Sequence, residues 1–434
     1  GDYAQARHFN GRVYGGLMPD GSTWTTTSAS DPFNTANNTP KSVLDTRTIT
    51  SNDYRMMSSG DMTYTIFKGL DFKSMVSAYI SYTDALDFAE RNSNRDGDIN
   101  RGQYNKRTYI DLLWENTLTY TKKIKDHSFT VLAGYTAQRW DVNTDQAVGL
   151  DYPSDNIRTL NNARQIEQVS VDANGNLQGT YNFRSKFGLL SYLGRVLYNY
   201  KGKYLFAGSF RTDGSSNFAP GKKWETFPSA SLGWVASEEK FMENVKWINN
   251  LKLRASVGAT GKAGNDPVYF DLLYAANYSF GAGTGVTVPG LSTSPSILPN
   301  PDVTWERTFQ YNGGIDIGFL NNRFTLIMDV YKSISDRLLV QQPSMGFTGV
   351  PLTWSNLGKL ENKGIEIELT SNNFRTRDFS WSTSLNFSRN KNKLIELGED
   401  AFILSSGERT EQYQVKLNAP LVQFYGYKTD GVWL

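Results

Sequence analysis

The sequence predicts an all-β fold, an antiparallel transmembrane β-barrel, with about 12 to 13 strands in this chain. Three observations predict it. Segments of period 2 recur along the whole chain, each with one aromatic or aliphatic face and one polar face. The connections between them alternate short and long, as do the periplasmic turns and external loops of outer-membrane barrels. Aromatic residues make up 13% of the chain while mean hydropathy is only -0.48, a combination that suits a wall with lipid on one side and water on the other.

In chain order, segments 53–69 and 71–82 meet at Gly69, and the second carries Phe72, Val76, Ala78 and Ile80 on one face. In 106–122, Leu112, Trp114, Leu118 and Tyr120 alternate with Leu113, Glu115, Thr117 and Thr119; 127–139 follows with Phe129, Val131, Ala133 and Tyr135. Segments 184–199 and 203–212 turn at Lys201–Gly202, with Tyr204, Phe206, Gly208 and Phe210 aligned. After 227–236 comes 251–260, where Leu251, Leu253, Ala255 and Val257 alternate with Lys252, Arg254, Ser256 and Gly258. Segments 304–320 and 323–335 turn at Asn321 and Asn322, residues that tolerate positive φ. In the last hairpin Ile365, Ile367 and Leu369 alternate with Glu366 and Glu368; a turn at Arg375–Asp378 leads to Phe379, Trp381, Leu385 and Phe387. These make twelve strands, and a thirteenth is expected to begin near Phe424.

The apolar runs approach the roughly nine to eleven residues that a tilted strand needs to cross a bilayer. No apolar run is long enough for a transmembrane helix, which needs about 18 residues or more. Residues 237–250, with Phe241, Val245 and Ile248 at helical spacing behind Ser237, predict a short periplasmic helix. Residues 1–52, rich in Thr, Ser, Asn and Gly, read as an external loop region, and 53–434 as barrel strands with their turns and loops. Gly1–Asn10 has no basic and apolar signal pattern.

The 45 basic and 43 acidic residues nearly cancel, which argues against a nucleic-acid partner. With no Cys, disulfide, thiol and cysteine-metal chemistry are excluded within this chain, and only His8 and His127 could supply histidine chemistry. Asn92, Asn94, Asp96, Gly97 and Asp98 are spaced like the oxygens and turn glycine of a calcium loop, so Ca in an external loop is the one cofactor reading. The loop lacks the closing Glu, having Gln103, and a polar external loop is the plainer reading. Gly261 and Lys262 fail the phosphate-loop pattern, because Ser256 and Ala263 stand where Gly and Ser or Thr belong. Glu366 and Glu368 lie at a spacing a glycosidase could use, yet 43 acidic residues produce such pairs by chance, and no catalytic residue is assigned. Trp24, Trp224, Trp305 and Trp354 could stack on ligands; the alternative is an interfacial aromatic girdle.

"FRTDGSSNFAPGKKWETFPSASLGWVASEEKFM" at 210–242, "INNLKLRASVGATGKAGN" at 248–265, "NPDVTWERTFQYNGGIDIGFLNNRFTLIMDVYKSISDRLL" at 300–339 and "NLGKLENKGIEIEL" at 356–369 occur in this order. Together they closely resemble the SusC/RagA family of TonB-dependent outer-membrane transporters of Bacteroidetes. The resemblance implies a barrel of about 22 strands with a plug domain, so the chain is expected to be an internal barrel portion without the plug or C-terminal strands. It further implies TonB-powered import of an oligosaccharide or peptide, with a SusD-like lipoprotein over the external mouth. TonB would engage a segment outside this chain, and loops 140–183, 261–303 and 336–361 would meet the lipoprotein or the substrate. In such a barrel Lys252, Arg254, Asp316, Asp329, Glu366 and Glu368 would face a wet lumen. Two other readings fit the residues alone: a passive porin of about 12 to 14 strands, and a surface-binding β protein that transports nothing.

Overall fold

The computed structural model describes residues 46–91, 99–171, 177–264, 274–280, 286–292, 297–346, 352–397, 402–406 and 412–426, together with Leu44. Its long strands are β1 Arg47–Phe67, β2 Leu70–Ala89, β3 Arg101–Ile124, β4 His127–Leu150, β5 Tyr181–Tyr200 and β6 Tyr204–Ser215. They continue with β7 Trp224–Val235, β8 Ile248–Lys262, β9 Glu306–Phe319, β10 Phe324–Pro343, β11 Leu352–Arg375 and β12 Ser380–Glu396. Order in the sheet is order in the chain, and the pairings from β5 to β12 are all antiparallel. Two short strands complete this 14-stranded sheet: Gln165–Ile166 beside the end of β4, and Ile297–Leu298 parallel to the start of β11.

All twelve predicted segments are strands, and most run further than expected, to 24 residues in β3, β4 and β11. The period-2 apolar pattern is written only where one face meets lipid. Beyond that band both faces are wet or covered by loops, so the strand continues without the pattern. For the same reason β1 starts at Arg47, inside the region read as loop.

The short turns use left-handed backbone at Lys125, at Lys201 with Gly202, and at Leu320, Asn321 and Asn322, whose φ values lie between 52° and 73°. At the last hairpin Thr376 closes the turn: its N–H donates to the Phe379 carbonyl at 2.8 Å and its Oγ1 accepts from the Phe379 N–H at 3.0 Å. The predicted helix over 237–250 is not formed. Two single 3-10 turns, Ala236–Glu238 and Lys240–Met242, stand there, with Glu239 extended between them at φ -83° and ψ 148°. Glu239 is tied to Trp234 Nε1 at 3.3 Å and Lys203 Nζ at 3.4 Å, and Ile248 is drawn into β8. Too few residues remain to recover the cost of helix nucleation. Near Phe424 the strand Gln423–Tyr425 pairs with Gln412–Lys416, which pairs with Phe402–Ser406 in a separate small sheet.

The chain forms two compact units, residues 1–60, 77–113 and 139–187 in one and the remainder in the other. In the first, Phe88, Val148 and Tyr152 are buried, and Asn100 holds the loop after β4 by accepting from the Tyr152 N–H and donating to its carbonyl and to Asp155. In the second, Phe218, Phe227, Ala259, Val303 and Trp305 make a core at the long-connection end of the strands.

Candidate functional site

Alternation puts Leu251, Leu253, Ala255 and Val257 of β8 on one face and Lys252, Arg254 and Ser256 on the other, and register extends both faces across β9 to β12. On the polar face Arg254 lies opposite Gly314, Gly314 opposite Asp329, and Asp329 opposite Glu366. One row nearer the short turns, Lys252 lies opposite Asp316, Asp316 opposite Ile327, and Ile327 opposite Glu368. The six charged residues singled out from the sequence therefore share one face of four adjacent strands.

Asp329 is two strands away from Arg254, roughly 9 to 10 Å in strand spacing, and Gly314 makes that contact possible. A Cβ there would lie 2.6 Å from Asp329 Oδ1 and 2.7 Å from Arg254 Nη2. Across this gap Arg254 Nη2 donates to Asp329 Oδ2 at 3.0 Å, and it also donates to Asp316 Oδ1 at 2.8 Å with Nε at 3.0 Å. The three side chains retain 30%, 21% and 20% exposure, so the cluster is wet and paired, unlike a dry core. Beside it lies a cavity of about 440 Å³ lined by Thr130, Asn199, Ser231, Lys252, Ser256 and Asn312 among others. Such a face offers a polar solute hydrogen-bond donors and acceptors of both signs.

The long-connection end is braced by a second ionic group that sequence reading missed. Arg337 sits at a break in the β10–β11 register with φ 56°, and this bulge aims its guanidinium at Glu225, which accepts two bonds at 3.0 and 3.1 Å. Arg307 pairs with Asp336 at 3.0 Å, and Asn356 fastens the segment before β9 by bonding both the N–H and the carbonyl of Thr304. Nothing local in the sequence marks Glu225 and Arg337 as partners, being 112 residues apart. Gly314 did carry a signal, since glycine inside a strand often marks close approach of other groups.

The tryptophans divide. Trp305 is 3% exposed, packs on Phe218 and Phe227 with ring centroids 5.6 Å away, and donates Nε1–H to the Lys223 carbonyl at 2.8 Å, so it is a core residue and not a ligand platform. Trp354 packs against the same core. Trp224 lies over Gly214, where a Cβ would be 2.7 Å from its ring, and stacks on Tyr192, which in turn contacts Tyr135, itself edge-on to Trp114. That aromatic row lies on the apolar face, the position a girdle gives it. Trp24 and the Asn92, Asn94, Asp96 and Asp98 loop lie outside the described residues. Among the described residues no three His, Cys, Asp or Glu side chains gather as a metal site.

Residues 2–427 match the family described as TonB dependent receptor-like, beta-barrel. A TonB-dependent receptor of Formosa agariphila is 33% identical over 390 residues, covering 88% of this chain and 35% of that protein. The TonB-dependent receptor SusC of Bacteroides thetaiotaomicron is 32% identical over 346 residues, covering 76% of this chain and 32% of its own length. The chain thus spans about a third of the length of the curated relatives it matches. Among solved structures, that of the RagAB peptide transporter superposes with a TM-score of 0.75 at 21% identity, over 88% of this chain and 41% of that one, a likeness of fold.

Proposed function

Because the chain belongs to the TonB dependent receptor-like β-barrel family, whose SusC and RagA relatives are outer-membrane proteins, we propose that it is part of the barrel wall of an active nutrient importer. The cargo is an oligosaccharide or a peptide, the energy comes through TonB, and a SusD-like lipoprotein covers the external mouth. The observation that carries this reading is the two-faced sheet: lipid-compatible on one side, and on the other a charged row in which Arg254 pairs with Asp316 and Asp329, with Glu366 next in register, along which a polar solute can pass. Lys252, Arg254, Asp316, Asp329, Glu366 and Glu368 are the proposed lumen residues.

The test is uptake of labelled oligosaccharides and peptides by cells with the receptor intact, with it deleted, and with TonB disrupted. Import requires that uptake of one class is lost in both altered strains. Uptake that persists without TonB, together with open-pore conductance of the purified receptor in planar bilayers, would replace this reading with passive diffusion.

A further inference from the structure

The apolar face ends, on the side of the long connections, in a row that ordinary sheet energetics disfavours. Counting up from the short turns, Ile317, Leu326, Leu369 and Leu385 face one another, then Ile315, Met328, Ile367 and Phe387, then Gly313, Val330, Ile365 and Arg389. The next row is Tyr311, Lys332, Lys363 and Lys391. Three lysines are thus directly opposite one another on three adjacent strands, a placement that destabilises a sheet when nothing neutralises it. Glu361, in the following row opposite Lys393, supplies one negative charge, reaching Lys332 at 2.7 Å and Lys363 at 3.9 Å. Lys332, Lys363, Lys391 and Arg389 are exposed. Phe324 to Lys332 is eight residues, roughly 27 Å along a strand and about 20 Å after tilt, so the cations stand toward the outer end of an apolar band about 25 Å tall.

We propose that this patch binds the phosphorylated headgroup of a lipid in the outer leaflet. Position and charge choose the occupant together: Lys332, Lys363, Lys391, Arg389 and Lys393 against Glu361 leave an excess of positive charge on the lipid-facing side, continuous with the apolar rows below. A headgroup phosphate between the lysines neutralises their repulsion while its acyl chains cover Ile365, Ile367 and Phe387.

The experiment uses the receptor isolated from the outer membrane in neutral detergent, and the same protein carrying Lys332→Gln, Lys363→Gln and Lys391→Gln together. Diphosphoryl lipid A and its dephosphorylated form are titrated and bound lipid is read by native mass spectrometry, with thermal unfolding followed in parallel. The expected result is preference for the phosphorylated lipid and a loss on the order of a hundredfold in the triple variant, about fivefold per lysine. Phosphorylated lipid raises the parent's melting midpoint and leaves the variant's unchanged. Equal binding of the two lipids, or equal binding by parent and variant, would overturn the proposal. Displacement of the lipid by millimolar inorganic phosphate would overturn the lipid as the source of the anion.

Discussion

Trp305 gives the sharpest stability prediction. Its indole fills the core made with Phe218, Phe227, Ala259 and Val303, and its N–H, together with that of Ser215, holds the Lys223 carbonyl. Lys222, exposed, and Lys223, half-buried, form a basic pair at the tip between β6 and β7, a trypsin site whose cleavage requires the tip to open. Replacing Trp305 by Ala removes a buried indole, which costs about 3 to 5 kcal/mol. That cost falls on the local core, because the lower parts of β6 to β9 keep their ladders. If opening precedes cleavage, the rate of cutting after Lys222 or Lys223 rises on the order of a hundredfold or more. Trp305→Phe keeps most of the ring and loses one hydrogen bond, about 1 kcal/mol, for roughly a fivefold rise. The assay is trypsin treatment of intact cells, with the severed fragment quantified and heat-modifiable migration confirming a folded barrel. Equal cleavage rates for parent, Phe and Ala variants in folded protein would refute the assignment of Trp305 to a closed core.

Two further outcomes follow from the geometry. Arg254→Met and Asp329→Asn, alone and combined, form a double-mutant cycle in thermal unfolding; the expected coupling is about 0.5 to 1 kcal/mol, small because the pair is partly solvated, and strict additivity contradicts the contact through the Gly314 gap. In the turn before β8, Glu239 is held below the usual carboxylate range, first by its hydrogen bond with Tyr204, then by Trp234 and Lys203, against the opposing effect of desolvation. A depressed carboxylate contributes its stability in full above the ordinary value of about 4.3 and loses it as pH falls through the folded value. Amide exchange of residues 236–247, corrected for intrinsic rates, therefore accelerates on acidification in the parent and not in Glu239→Gln; matching profiles would show that Glu239 holds nothing there.

The wall was legible in the sequence because lipid on one side and water on the other writes strict alternation, as in Leu253, Ala255 and Val257 against Lys252, Arg254 and Ser256. Strand ends were not, since above the lipid band neither face is uniform, and β10 runs to Pro343 through a bulge at Arg337 that alternation cannot express. Trp305 and Trp224 look alike in sequence, each close to a strand start. Only the partners, Lys223 for one and Tyr192 for the other, separate a core residue from one on the apolar face. The 237–250 segment had helical spacing, but the ties from Glu239 to Trp234 and Lys203 outweighed it. The charged row was visible one residue at a time; its closure through Gly314 needed the register of three strands.

In the barrel wall proposed above, the Leu253 face meets lipid and the Arg254 face meets water. Because the chain has no cysteine of its own, single cysteines at each position from Lys252 to Val257 can be mapped without interference from this chain, in the receptor embedded in its membrane. A charged, water-soluble thiol reagent is expected to modify positions 252, 254 and 256, and a lipid-dissolved reagent 253, 255 and 257. Uniform aqueous labelling at all six, or the opposite alternation, would contradict that placement.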